Sequence, residues 1–398
     1  KPDFGGARGS SAGDDFHEWW ALRHALPLLT GMDDLVALTV EGLLAIDEPG
    51  APADAWLGVD CAQYYGESQL SKATKVVVEQ LKYSSANPDS PWTLARLQAT
   101  TNAKKNNSVI ARLASAYAAL ADKRPDLVAS NKISIRLVSN QPIDAEVAEA
   151  IADEKGENYS ALQKATNLEP AQFSSFLIAF DFSMCGAESR FAHEESCVAE
   201  IANVVATGAL SLASELKARV HKLMLPEGRG SIISKETLLS WLGVAHPDAL
   251  FPCPPQIRYV EAAVPRQAAV DVLKEMISGS PRLCLHGPGG CGKTTTVQQI
   301  ERGLPQGSTM VIFDCYGAGR YQEPDAYRHR AKDAYLQIIN ELASKLQTPL
   351  FINRTGTDDY VREFKQRLEL AAATVAARNI DGLLVIAVDA ADNSVEGA

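Results

Sequence analysis

The residues Gly287-Pro288-Gly289-Gly290-Cys291-Gly292-Lys293-Thr294 match G-x-x-x-x-G-K-[ST] at every fixed position. Each residue type has a chemical use there. Gly287, Gly289, Gly290 and Gly292 let the backbone turn its N–H groups inward at the start of a helix, which makes a concave anion site. Lys293 would reach the β- and γ-phosphates, and the Thr294 hydroxyl would ligand Mg²⁺. Thr295, in the same first turn, joins the nucleotide-binding set. A surface turn that merely carries glycines is the bland alternative, and the strand and helix patterns on either side weigh against it. Far downstream, Gly382-Leu383-Leu384-Val385-Ile386-Ala387-Val388 ends at Asp389, placed for the Mg²⁺ shell opposite Thr294, and Asp392 follows as a second acid. The expected ligands of this half are a nucleoside triphosphate and Mg²⁺.

A second constellation lies near the N-terminus. Trp56-Leu57-Gly58-Val59-Asp60 reads as a strand ending in a carboxylate, and Thr74–Tyr83 as a β-branched strand carrying Gln80-Leu81-Lys82. Strand alternation puts Val76, Val78, Gln80 and Lys82 on one face and Val77, Glu79 and Leu81 on the other. A buried Gln and Lys are costly unless paired, and Asp60 can supply the pairing. A carboxylate plus [E/Q]-x-K is what a metal-dependent phosphodiesterase needs. Asp60 and Gln80 would hold a divalent ion, while Lys82 would position water and offset charge on the phosphate. An edge strand with solvated polar ends is the competing reading of the same pattern.

Other spacings exclude chemistry. His17-Glu18 followed by His24 lacks the H-E-x-x-H interval of a zinc protease, and His193 with Cys197 has no partner pair and reads as packing. Seven cysteines without a C-x-x-C pair support neither a zinc ribbon nor a disulfide framework, which points to a reducing, cytoplasmic setting. No apolar run nears the ~20 residues of a membrane span. A net charge of −11 argues against a general polyanion binder and leaves room for a local basic groove.

These residues need elements to position them. The pattern predicts a flexible Gly/Ser-rich lead over 1–13, a helix over Asp14–Leu29, helices over 92–130 with Lys104-Lys105 exposed, a strand at Ile133–Asn140, and mostly helix over 144–225. Prolines 247, 252, 254, 255 and 265 then mark a connector, preceded by a short helix at Lys235–Leu242. An α/β alternation follows. A strand at Arg282–His286, the helix Lys293–Gly303, a strand at Met310–Cys315, a basic segment through Arg328-His329-Arg330, helices at Ala334–Leu346 and Tyr360–Asn379, and a strand to Asp389, buried on both faces, are expected. The resulting division is 1–245, a linker at 246–266, and 267–398.

The phosphate loop with Asp389-Ala390-Ala391-Asp392-Asn393 resembles the STAND class of signalling NTPases, whose second motif is an apolar strand ending in D-x-x-D-E. Asn393 replaces the usual Glu, which leaves Asp392 as the acid to polarise water. Phe313–Tyr321 followed by Arg328-His329-Arg330 is similar to the antiviral STAND (Avs) proteins of prokaryotes. Gly13 to Trp19, Asp60 and Gln80-Leu81-Lys82 resemble the Cap-type effector nuclease of the PD-(D/E)XK superfamily.

The resemblance implies a restriction-endonuclease-like α/β domain followed by a P-loop parallel-sheet NTPase domain, incomplete at its C-terminus. Glu18 would add a first-helix carboxylate to the metal site, the alternative being a solvent-facing helix Glu. It further implies a sensor in which a C-terminal domain beyond Ala398 recognises a viral structural protein. ATP-dependent assembly into a homo-oligomer, a tetramer, then activates cleavage of double-stranded DNA, with no membrane involved. A scaffold that binds ATP and recruits partners without cutting DNA, and an ATP-driven motor, are the other functional classes weighed.

Overall fold

A computed structural model describes residues 7–30, 34–51, 55–100, 107–261, 264–323, 328, 330–353 and 360–394. The fold is mixed α/β, and the chain divides into two compact units. One holds the described residues up to Ala202 with Thr207–Trp241; the other holds Asn203–Ala206 and the described residues from Leu242. Lys104-Lys105 lies outside the described residues. Among the described residues, no helix is long and apolar enough to cross a membrane.

The first unit is built on a six-stranded mixed sheet. Its strands are β1 (Leu35–Val40), β2 (Cys61–Tyr65), β3 (Lys75–Lys82), β4 (Ile133–Ser139), β5 (Phe180–Asp181) and β6 (Ile232–Ser234), in the spatial order β5-β4-β3-β2-β1-β6. β2 pairs antiparallel with both β1 and β3, while β3 and β4 run parallel. The alternation along β3 sorts its side chains as the sequence predicts. Val76 and Val78 pack with Leu113, Tyr117 and Leu120 of the helix Val109–Lys123, whereas Leu81 packs with Phe16 and Trp20 of the helix Ala7–Ala25 on the opposite face. On that second face Glu79 is 0% exposed, and its charge is matched by Arg136 Nη1 at 2.7 Å and Trp20 Nε1 at 2.8 Å.

Two expectations change here. The first helix begins at Ala7, inside the stretch expected to be flexible, and Ala12 is already buried, so packing overrides the low helix propensity of glycine and serine. Trp56–Val59 is a turn rather than a strand; Trp56 and Val59 reach the core from it, and the strand starts at Cys61, one residue after Asp60.

The second unit has a parallel pair, β7 (Thr309–Asp314) and β8 (Leu384–Asp389), with Asp314 opposite Asp389. Helices cover both faces. Val311 and Phe313 pack with Ile338 and Leu342 of Ala331–Leu346 and with Val375 of Tyr360–Arg378, while Met310 and Ile312 pack with Ile300 of Lys293–Gly303. The expected strand at Arg282–His286 is not formed, and Leu283 is 41% exposed. Without that neighbour one edge of β8 is uncovered among the described residues, and Val388 is 54% exposed, so β8 is not buried on both faces.

The proline-rich stretch belongs partly to this unit. Cys253 is buried in its core and donates its N–H to Gln337 Oε1 at 2.8 Å, and Asn340 donates to the Leu250 carbonyl at 3.0 Å. Arg328, expected on a basic surface segment, is 3% exposed; its guanidinium binds the carbonyls of Asp314 at 2.6 Å and Pro254 at 2.7 Å. His329 lies outside the described residues.

Candidate functional site

In the first unit the site forms at the end of β3. Cys61 pairs with Glu79 at the end of the β2–β3 ladder, and Asp60, just before β2, donates its N–H to the Glu79 carbonyl at 2.9 Å. Lys82 Nζ stands 3.7 Å from Asp60 Oδ2, and the same oxygen accepts the Leu81 N–H at 2.6 Å. That backbone bond fixes the Asp60 carboxylate against the strand, because Asp60 sits in the turn preceding β2. Gln80 is 0% exposed, yet neither its Oε1 nor its Nε2 has a hydrogen-bond partner. A buried carboxamide without partners is unfavourable by about 1–3 kcal/mol per group. Asp60 and Lys82 are thus brought together, and Gln80, on the same strand as Lys82, carries a carboxamide without partners.

Two residues that the sequence reading did not single out join them. His17 Nε2 lies 3.2 Å from the Leu81 carbonyl, and His17 Nδ1 lies 3.7 Å from Glu41 Oε1. One ligand atom each from His17, Glu41 and Asp60 falls within 4.8 Å of the others, a metal-compatible grouping found among the described residues. Glu41 follows β1 with φ +55°, a left-handed conformation uncommon outside glycine, and its N–H is bonded to the Asp60 carbonyl at 2.9 Å. Burial raises the Asp60 carboxyl pKa above its usual range despite the opposing charges of Lys82 and His17. Burial works to lower that of His17, but the nearby Glu41 and Asp60 carboxylates outweigh it, and the net shift is upward.

Glu18 is not in this grouping. Its carboxylate takes His221 Nδ1 at 2.7 Å and Lys217 Nζ at 3.3 Å, and the cavity it lines includes Asp15, Lys217 and His221 rather than Asp60. Glu18 is also largely buried, so it is not the solvent-facing alternative either. Neighbouring residues on a helix point about 100° apart, and here it is His17 that faces the sheet.

In the second unit Gly290 and Gly292 have φ of +75° and +89°, as an inward-turned loop requires, and Gly292 caps the helix Lys293–Gly303. Gly287, Gly289 and Gly290 are exposed, and a Cβ on Gly289 or Gly290 would meet open space. Lys293 Nζ donates to the loop's own carbonyls, Gly287 at 2.8 Å and Pro288 at 3.1 Å. Thr294 Oγ1 donates to Asp389 Oδ2 at 2.7 Å, which brings together the two stretches that the sequence reading paired. Thr295 is half-buried in the first turn of the helix. Asp392 is exposed on the one-turn helix Ala391–Ser394, which Ala390 enters with φ +53°. Arg266, another residue not anticipated, donates Nη1 to the Cys291 carbonyl at 2.7 Å and lies against Gly292. The geometry suits an anionic ligand held by backbone amides, Lys293 and a metal at Thr294 and Asp389.

No protein-family model and no curated protein sequence matches the chain.

Proposed function

We propose that this chain is an antiviral defence protein of the STAND type, whose N-terminal unit is a metal-dependent double-stranded DNA endonuclease and whose second unit is an ATP-binding switch. The observation that carries the reading is the approach of Lys82 Nζ to Asp60 Oδ2 at 3.7 Å, beside a strand that also bears the unpartnered, fully buried Gln80. Asp60 and Gln80 would hold the divalent ion. When bound, such an ion supplies charge neutralisation at the phosphate and acidifies a water. Lys82, its Nζ already turned toward Asp60, orients the water and offsets charge growing on the phosphate oxygens. A restriction-endonuclease-like architecture agrees with a mixed sheet that carries helices on both faces.

In the second unit Lys293, Thr294 and Asp389 would bind Mg²⁺-ATP, with Gly287 to Gly292 supplying the amide cradle. Asp392 is the acid left to orient water where Asn393 replaces Glu. Nucleotide binding drives assembly into a homo-oligomer, proposed as a tetramer, and assembly licenses cutting. Recognition of a viral structural protein supplies the trigger.

The separating experiment is Lys82→Ala. Cleavage of double-stranded plasmid should fall about 10²–10³-fold or more while ATP binding is retained. A variant that cuts as well as the parent removes Lys82 from the chemistry. An oligomer that forms with ATP but leaves plasmid intact in both Mg²⁺ and Mn²⁺ establishes the scaffold instead, a reading that the neutral Gln80 in place of an acid favours.

A further inference from the structure

We infer that His17 and Glu41 complete the Asp60 metal site, and that the nitrogen ligand of His17 makes it a transition-metal site that takes Mn²⁺ in preference to Mg²⁺ or Ca²⁺. The inference rests on the reading of Asp60 as a metal ligand and goes beyond it in ligand set and in metal class. The tautomer comes first. A carbonyl oxygen only accepts, so the His17 contact to the Leu81 carbonyl at 3.2 Å places the proton on Nε2. Neutral His17 therefore carries its lone pair on Nδ1, which faces Glu41 Oε1 at 3.7 Å. An imidazole held through one nitrogen by a backbone carbonyl, with the other nitrogen directed at carboxylates, is the usual arrangement of a metal-binding histidine.

The spacing agrees. Atoms bound to one ion at about 2.1 Å stand roughly 3–4 Å from one another, and the ligand atoms of His17, Glu41 and Asp60 lie within 4.8 Å. The 3.7 Å between Nδ1 and Oε1 is too long for a direct hydrogen bond. An independent observation comes from Leu81: its N–H donates to Asp60 Oδ2 at 2.6 Å while its carbonyl takes His17 Nε2 at 3.2 Å, so one residue of β3 holds two of the three ligands in place. One imidazole among oxygen ligands favours Mn²⁺, Co²⁺ or Zn²⁺, because Mg²⁺ and Ca²⁺ prefer an all-oxygen shell.

The test uses Mn²⁺ added to the intact chain without DNA or nucleotide. Mn²⁺ affinity is measured by titration, and direct nitrogen ligation by the ¹⁴N modulation of the electron-spin-echo signal. The parent should show one site with histidine ¹⁴N coupling. His17→Gln should abolish the coupling and weaken Mn²⁺ by about 10-fold or more, with a smaller change for Mg²⁺. Glu41→Gln should weaken Mn²⁺ while the coupling remains, which guards against a misfolded His17 variant. Mn²⁺ binding that is unchanged in both variants, or a parent without ¹⁴N coupling, overturns the inference even if Mg²⁺-dependent DNA cleavage is intact. Coupling that disappears with His17 in a protein unable to cut DNA upholds the metal site and removes the endonuclease reading instead.

Discussion

Histidines in this chain show how burial and hydrogen bonding give one residue type different roles. His17 faces carboxylates, whereas His193 is 2% exposed and its Nδ1 accepts from Arg23 Nη1 at 3.0 Å. A guanidinium only donates, so Nδ1 must stay unprotonated to keep that bond. Burial first, then the Arg23 charge, pushes the His193 pKa down to about 4. An unfolded His titrates near ~6.5. Between those values the unfolded chain takes up a proton that the folded chain refuses, so stability falls as pH drops from ~6.5 through 4. His193→Gln should therefore be less destabilising relative to the parent at pH 4.5 than at pH 7, by denaturant midpoint. An equal penalty at both pH values contradicts the assignment.

At the scale of elements, the phosphate loop depends on left-handed backbone that only glycine adopts cheaply. Gly292→Ala, at φ +89° and with its new Cβ against the Arg266 guanidinium, should destabilise the loop by about 1 kcal/mol or more and weaken ATP binding. Calorimetric titration with ATP checks this, and parent-like affinity contradicts it. Elements also decided what could be read from sequence. The glycine-rich loop was legible because its spacing is local, and the Thr294–Asp389 bond brings two stretches read separately into contact. The β3 faces were legible through alternation, which correctly separated Val76 and Val78 from Leu81. Glu18 and His17 were not distinguishable, because helical periodicity gives faces but not which one meets a given strand. Glu41 was illegible for a similar reason. It reaches Asp60 only through the β1–β2 pairing and an unusual φ, neither of which leaves a mark in local composition. The failed strand at Arg282–His286 has the opposite cause, since an apolar run predicts burial and says nothing about whether a partner edge is taken up.

At the scale of the whole molecule, a chain with net charge −11 gains little from bulk attraction to DNA. On the proposed function, binding and cutting would come from local cations such as Lys82 and from assembly that multiplies weak sites. Lys293→Ala should leave the first unit folded and its metal affinity unchanged, yet prevent ATP-dependent oligomerisation. Mass photometry with and without ATP tests this, and a variant that still assembles on ATP addition removes Lys293 from the switch. The most direct measurement follows supercoiled plasmid in the presence of Mn²⁺ with assembled parent, Lys82→Ala and Lys293→Ala side by side. The account predicts that the parent linearises the plasmid only with ATP, that Lys82→Ala assembles without cutting, and that Lys293→Ala does neither. Plasmid left intact by the fully assembled parent, or cut equally by Lys82→Ala, would contradict it.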